Sequence, residues 1–295
     1  MKINYFFGSD ARSIPAYEIL IESSKLLYNL SPSEIKVVTL NNPNLVRGKL
    51  VNNTFEQYCI DNDISYVHFD GSNVYKDIEY ALVCSFGHIF KKEFLENNEL
   101  MSKKENNRKK LFNLHLSILP DLKGPAPIEY AILNSYTETG ITIFEINTEI
   151  DSGLIFKSLK FPITNNDYAS DLYSKSFKKF RMLMINLKDY EDTFINELYL
   201  DCYPKTTSIR KSYKLQDCDL KLNNLSKEHA SKRIRALNYI GPAKYEYEGI
   251  DIKVHSYSLK EGLKLEFYDG FIYADKITPP GKNKMNALDW LRGRK

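Results

Sequence analysis

Cysteine is scarce. Cys59, Cys84, Cys202 and Cys218 are the four in 295 residues, and no two stand in C-x-x-C spacing. That usage points to neither a zinc site nor a disulfide framework, so the chain needs an ordinary hydrophobic core and a reducing compartment is the default. Cys84 falls in an apolar run and reads as a small core residue. Long apolar runs are also missing: none approaches the ~20 residues of a membrane span, and no membrane role is expected. Residues 1–12 hold only Lys2 and Arg12 as cations and start directly in a strand pattern, so an Arg-rich presequence is not expected. A net charge of one sign is nearly missing, at +3, yet it is unevenly placed. Residues 204–295 carry 19 Lys and Arg against 11 Asp and Glu, a net +8, which leaves 22 against 27, or −5, for residues 1–203. A basic second domain behind an acidic first one suggests an anionic partner for the former.

What is present is the length and composition of a two-domain globular protein, 43% hydrophobic and 27% charged. Strands are predicted at 2–7, 35–40, 65–69 and 80–85, with helix-compatible or polar stretches between them and a helix over 13–30. This alternation predicts an α/β fold with a mainly parallel sheet. A strand over 154–161 and a long helix over 167–190 follow, the latter with Tyr168, Leu172, Phe177, Phe180 and Leu183-Met184 on one face. Residues 41–49 read as a polar loop and 198–211 as a linker. Beyond it, a helix capped by Ser226 precedes short strands at 250–257, 263–268 and 271–277, which predict a small β-barrel of the OB type. The expected domains are 1–197 and 212–295 around the linker 198–211.

The densest cluster of candidate catalytic groups lies in 111–153. Alternation along 110–117 places Asn113 and His115 on one face of a strand, just before a breaker-rich loop with Gly124-Pro125-Ala126-Pro127. The carboxyl ends of strands are where open α/β sheets bind ligands. After a helix near 128–136 and a strand over 140–146, a loop presents Asp151, 36 residues beyond the histidine. Taken singly, the histidine reads as a core residue, the aspartate as a turn former and the asparagine as a loop cap. Together, an amide donor, an imidazole and a carboxylate suit acyl transfer to an amine: donors for an oxyanion, and a base for the amine proton.

The combination Asn113-x-His115-x-Ser117-x-Leu119-Pro120, Lys123-Gly124-Pro125-Ala126-Pro127-Ile128, Thr139-Gly140-Ile141-Thr142 and Asp151-Ser152-Gly153 resembles the signature of the folate-dependent formyltransferases. Within that superfamily the Gly-Pro-Ala-Pro-Ile run is most similar to the methionyl-tRNA formyltransferases. The ends agree, with Phe6-Phe7-Gly8-Ser9-Asp10 similar to the first strand and turn of the mitochondrial members, and the run from Gly281-Lys282 through Met285 to Gly293 similar to their closing motif. Lys123 stands where an Arg is usual and Lys91 where a Pro is usual.

The resemblance implies a Rossmann-like catalytic domain followed by an OB-like tRNA-binding domain. It implies 10-formyltetrahydrofolate as co-substrate, no metal, initiator methionyl-tRNA as partner, a monomer, and a mitochondrial matrix address, with the cytoplasm as the alternative. Asn113 and His115 would polarise the formyl group while Asp151 orients the histidine and manages the proton. Folate contacts would come from Phe86, Gly87, His88 and Ile89, and from Ser117, Leu119, Pro120 and Asn147. Contacts to tRNA would come from Arg47, Lys49, Lys232, Arg233, Arg235, Lys282 and Lys284. An N-formyltransferase acting on an amino sugar nucleotide would share the Asn, His and Asp, and a non-catalytic RNA-binding protein that keeps the fold is the alternative of another class.

Overall fold

In the computed structural model the described residues are 2–46, 49–100, 109–186, 220–239 and 241–294. The expected linker at 198–211 and the end of the helix expected over 167–190 lie outside them. Contacts divide the chain into two units that do not follow chain order. One comprises Met1–Lys123, Gly140–Lys160 and Ser176–Arg210; the other Gly124–Thr139, Phe161–Lys175 and Lys211–Lys295.

Up to the cluster the elements run β1 (Ile3–Phe7), α1 (Ser13–Tyr28), β2 (Lys36–Leu40), β3 (Asn44–Val46), β4 (Lys49–Val51), α2 (Thr54–Asp61), β5 (Tyr66–Phe69), β6 (Tyr80–Val83), α3 (Lys92–Asn97) and β7 (Lys110–His115). Then come α4 (Pro127–Leu133), β8 (Glu138–Glu145), β9 (Ile155–Pro162) and α5 (Ala169–Ile185). The large sheet has the order β5-β2-β1-β6-β7-β8-β9. Pairing is parallel from β5 to β7, and β8 runs antiparallel to β7. Chain order runs outward in opposite directions from the β1–β6 pair, which makes their carboxyl ends a topological switch point, the crevice where such sheets take ligands. The central strands are apolar because both faces are covered: Phe6 and Phe7 are fully buried.

Local chemistry sets the element ends. Asn29, at φ 53, closes α1 with its N–H on the Lys25 carbonyl. Asn53 caps α2 by accepting from Glu56 N–H at 2.8 Å while its amide donates to the Leu40 carbonyl at 2.7 Å, tying helix to strand. The stretch 41–49, expected as a loop, enters a short hairpin instead, with Leu45 opposite Leu50. Leu-Val pairs on either side of the turn supply β-prone residues that the polar composition obscures.

The other unit continues with α6 (Lys227–Leu237), β10 (Ala243–Tyr247), β11 (Ile250–Ser258), β12 (Leu263–Phe267), β13 (Gly270–Thr278), β14 (Met285–Asn286) and α7 (Ala287–Arg292). Its strands form an antiparallel sheet of order β10-β11-β13-β12, with β14 on β13. Ile234, Leu237, Ile252, Val254, Leu265, Ile272, Ile277 and Trp290 fill its core. Within this unit Glu129 of α4 is fully buried and accepts from the Tyr173 hydroxyl at 2.8 Å.

Candidate active site

His115 ends β7, a strand covered on both faces, and is buried at 6% exposure. Its Nε2 lies 2.9 Å from the Leu122 carbonyl. A carbonyl only accepts, so Nε2 carries the proton and Nδ1 is the basic edge of the neutral ring. That edge faces Asp151 Oδ2 at 3.7 Å, an ion-pair separation rather than a made hydrogen bond. The ring is therefore bracketed by two acceptors, the Leu122 carbonyl on one nitrogen and the Asp151 carboxylate on the other. Asn113, half-buried two residues earlier on the same strand, stands opposite Val83 on one side and Phe144 on the other. Catalytic contacts of this kind commonly tighten when substrate binds.

The surrounding loops fix this pair. Thr142 Oγ1 donates to the Ser117 carbonyl at 2.7 Å and accepts from the Leu119 N–H at 3.1 Å, while the Ser117 hydroxyl donates to the Asp121 carbonyl at 2.7 Å. The loop that turns Leu122 toward His115 is thus held from β8. Leu119-Pro120 is cis, and both side chains are buried. Asn147 Oδ1 accepts from Glu149 N–H at 2.9 Å and from the Ser152 hydroxyl at 3.3 Å, which shapes the loop that carries Asp151 at φ 47. Gly153 then returns the chain against β8: a Cβ there would lie 1.5 Å from the Glu145 carbonyl oxygen. Gly140 is required for the same reason, its Cβ falling 2.2 Å from the Leu159 carbonyl oxygen. Ser117, Leu119 and Asn147, expected as folate contacts, take part in the hydrogen bonds that hold the loops around His115 and Asp151. Thr142 and the Leu122 carbonyl were not singled out from the sequence. Only the position of Thr142 in the Thr-Gly-Ile-Thr motif hints at its role.

At the switch point Ser9 Oγ donates to the Phe86 carbonyl at 2.7 Å and Ser13 Oγ to the Cys84 carbonyl at 2.8 Å, so the turn after β1 holds the loop after β6. Below it, Phe7 meets Phe69, Tyr75, Phe86 and Phe90 edge-on, with centroids between 5.5 and 6.5 Å apart. Such pairs add about 0.5–1.5 kcal/mol each beyond area burial. The Phe86 side chain, 2% exposed, is therefore core and leaves only backbone for a ligand. Gly87 at φ +71, His88 and Ile89 are exposed. His88 leans on Phe69 at 4.8 Å, and partial burial, then the Lys91 cation, hold it below the ordinary histidine value. Cys84 is inert as a nucleophile, since burial pushes its thiol up to about 12. Among the described residues no group of three or more His, Cys, Asp or Glu is placed to hold a metal ion.

The basic residues expected to meet tRNA do not form one set. Arg47 and the side chain of Lys49 lie outside the described residues. On α6, Lys232 pairs with Glu228 one turn back, and Arg233 Nη1 donates to the Lys221 carbonyl at 2.8 Å. Arg235 corrects the surface reading of that helix: it is 7% exposed and donates to the Asp167 carbonyl at 3.0 Å, so its guanidinium is out of reach of a phosphate. Lys282 and Lys284 are exposed.

Residues 72–186 match the family model for formyl transferase. Asn113, His115 and Asp151 all lie inside that span. The relatives it is similar to include methionyl-tRNA formyltransferases. The one from Flavobacterium psychrophilum is 27% identical over 208 residues, covering 62% of this chain and 63% of its own, and the one from Natranaerobius thermophilus is 24% identical, covering 98% and 96%. The chain thus spans just under two thirds of the first of these two relatives. A solved N-formyltransferase from Helicobacter canadensis, in complex with folinic acid and dTDP-3-aminofucose, shares the fold at a TM-score of 0.61 and 21% identity, covering 92% of this chain and 99% of its own. HypX from Aquifex aeolicus, in complex with tetrahydrofolic acid, does so at 0.60 and 13%, covering 99% of this chain and 47% of its own.

Proposed function

We propose that the chain transfers the formyl group of 10-formyltetrahydrofolate to the α-amino group of methionine on initiator methionyl-tRNA. The observation that carries this is the His115–Asp151 pair at the carboxyl end of β7, 3.7 Å apart with the ring's other nitrogen fixed on Leu122. The amine nitrogen attacks the formyl carbon, and the Asn113 amide donates to the oxyanion that forms, joined by the imidazole once Nδ1 has taken a proton. The pair of Nδ1 and Asp151 receives the amine proton, and the C–N10 bond then breaks as N10 takes up a proton, releasing tetrahydrofolate. The exposed backbone at Gly87, beside the switch point, suits the close approach of a flat pterin. A neighbour of the same fold solved with tetrahydrofolic acid supports that co-substrate.

In this reading the antiparallel sheet of the second unit closes as an OB-type barrel and meets the tRNA, and the mitochondrial matrix is its compartment, on the likeness of residues 6–10 alone. Imaging of the tagged full-length protein tests the compartment. The chemistry is tested by offering purified protein and 10-formyltetrahydrofolate either methionyl-tRNA or a dTDP-amino sugar as sole acceptor. Formyl transfer to the tRNA and none to the sugar is the expected result. The reverse assigns the chain to the sugar N-formyltransferases.

A further inference from the structure

The second unit gathers cations in a way its own packing does not explain. Lys221 bridges to Lys244 on β10, and Lys244 stands directly opposite Lys253 on β11, so three lysines lie abreast across neighbouring segments. Like charges directly opposite on a sheet destabilise it. His255 follows at an irregularity in the register, where its contact with Thr278, the residue paired with Lys253, puts it on the face of Lys253, and Lys276 faces Ser256 from β13. Lys284 lies one residue before β14, whose Met285 pairs with Ile277. Lys221, Lys253, Lys276 and Lys284 are exposed, and Lys244 and His255 half-buried.

Among the described residues no carboxylate forms an ion pair with Lys221, Lys244, Lys253, Lys276 or Lys284. The acids nearest in the pairing, Glu246 and Asp251, face each other further along β10 and β11. Asp275 on β13 accepts from the Ser256 hydroxyl at 2.9 Å. His255 Nε2 lies 2.8 Å from Thr278 Oγ1, a hydroxyl that can accept from a protonated ring and leave Nδ1–H for an outside oxygen.

We propose that Lys221, Lys244, Lys253 and His255 form a phosphate-binding face for the RNA backbone, and that His255 takes up a proton as the RNA binds. The proposal rests on the tRNA reading given above and deepens it, since it names the contact face and its regulation by pH. Burial, then the cations of Lys284 and Lys253, hold free His255 below the ordinary histidine value. Phosphates on the lysines reverse the electrostatic part of that depression, so the histidine is more basic in the complex than in the free protein. Affinity therefore rises as pH falls through the bound-state value and levels off once the free histidine is itself protonated.

The test measures binding of methionyl-tRNA to the full chain against salt, at about pH 6 and about pH 8. The parent should show a steep salt dependence, and a Lys221→Gln, Lys244→Gln, Lys253→Gln variant should lower the log–log slope by about 2 to 3, at roughly 0.7–0.9 per contact. Thermal unfolding of that variant should be no easier than the parent's, because removing opposed like charges costs the fold nothing; a purely structural role predicts the opposite. His255→Gln, which keeps a partner for Thr278, should bind as the parent does at the higher pH and lose the gain, at least about threefold, at the lower. A steep parent slope unchanged in the triple variant overturns the face while leaving the tRNA reading standing. A pH gain that survives in His255→Gln overturns the proton uptake. A parent that does not bind tRNA overturns both the reading and the proposal.

Discussion

Gly153→Ala is the substitution whose effect can be worked most directly from the geometry. A Cβ at this position lies 1.5 Å from the Glu145 carbonyl oxygen and 2.7 Å from its carbon, whereas ordinary contact starts at 3.4 Å. Both atoms are backbone, so no side chain can swing aside, and the returning chain must move by about 2 Å. That move breaks the 2.8 Å bond from Glu145 N–H to the Leu154 carbonyl and drags Asp151, two residues upstream, away from His115. Overpacking of this kind costs about 1–3 kcal/mol of stability. A misplacement of about 1 Å at a catalytic group costs about 100-fold in rate. Turnover of formyl transfer should fall about 100-fold, with a lowered melting temperature and a smaller change in the Michaelis constant for the folate. Gly241→Ala, with nothing within 4 Å of the new Cβ, is the control and should be close to neutral. Gly153→Ala protein that is folded and turns over within about threefold of the parent would refute the reasoning that the glycine places Asp151.

Thr142→Val keeps the shape of a buried side chain but orphans the Leu119 N–H and the Ser117 carbonyl, at about 1–3 kcal/mol, and should lower the melting temperature by several degrees along with turnover. Unchanged melting would show that the loop is held by other means. Gly87→Val forces a β-branched residue to φ +71 and should weaken 10-formyltetrahydrofolate binding in a titration while tRNA affinity stays the same; equal folate affinity would move the cofactor away from this loop. Burial alone would raise the Asp167 carboxyl, but Lys175 and the Thr164 N–H together outweigh it and hold it below the usual aspartate value. Its contribution is therefore present above the ordinary value of 3.8 and is lost as pH falls through the lower folded value, so the stability gap between parent and Asp167→Asn should shrink as melts are taken to about pH 3. A gap constant with pH would contradict the assignment.

Much of the large sheet was readable because it depends on local pattern: continuous apolar runs such as 5–7 and 81–84 mark strands buried on both faces, and each was expected within a residue or two of where it lies. His115 and Asp151 were readable for a different reason, since alternation fixes the face of a strand residue and the motif spacing supplies the second group. Their supports were not, because Leu122 acts through its carbonyl and Thr142 through a loop 23 residues away, and backbone acceptors carry no residue signature. Arg235 misled for a related reason. It stands among Lys232 and Arg233 on a helix that reads as basic, but α4 and residues 161–175 join the same unit and cover that side, which only the tertiary fold reveals. The three lysines abreast share this property, coming from residues 221, 244 and 253.

The measurement that bears most directly on the central claim is single-turnover formyl transfer from 10-formyltetrahydrofolate to methionyl-tRNA by the parent, His115→Ala, Asp151→Asn and Asn113→Ala proteins. Circular dichroism should confirm that each is folded. The account predicts transfer by the parent and a loss of at least about 100-fold in each variant, because each removes a group acting mainly in the transition state. Near-parental rates in folded His115→Ala or Asp151→Asn protein would contradict it.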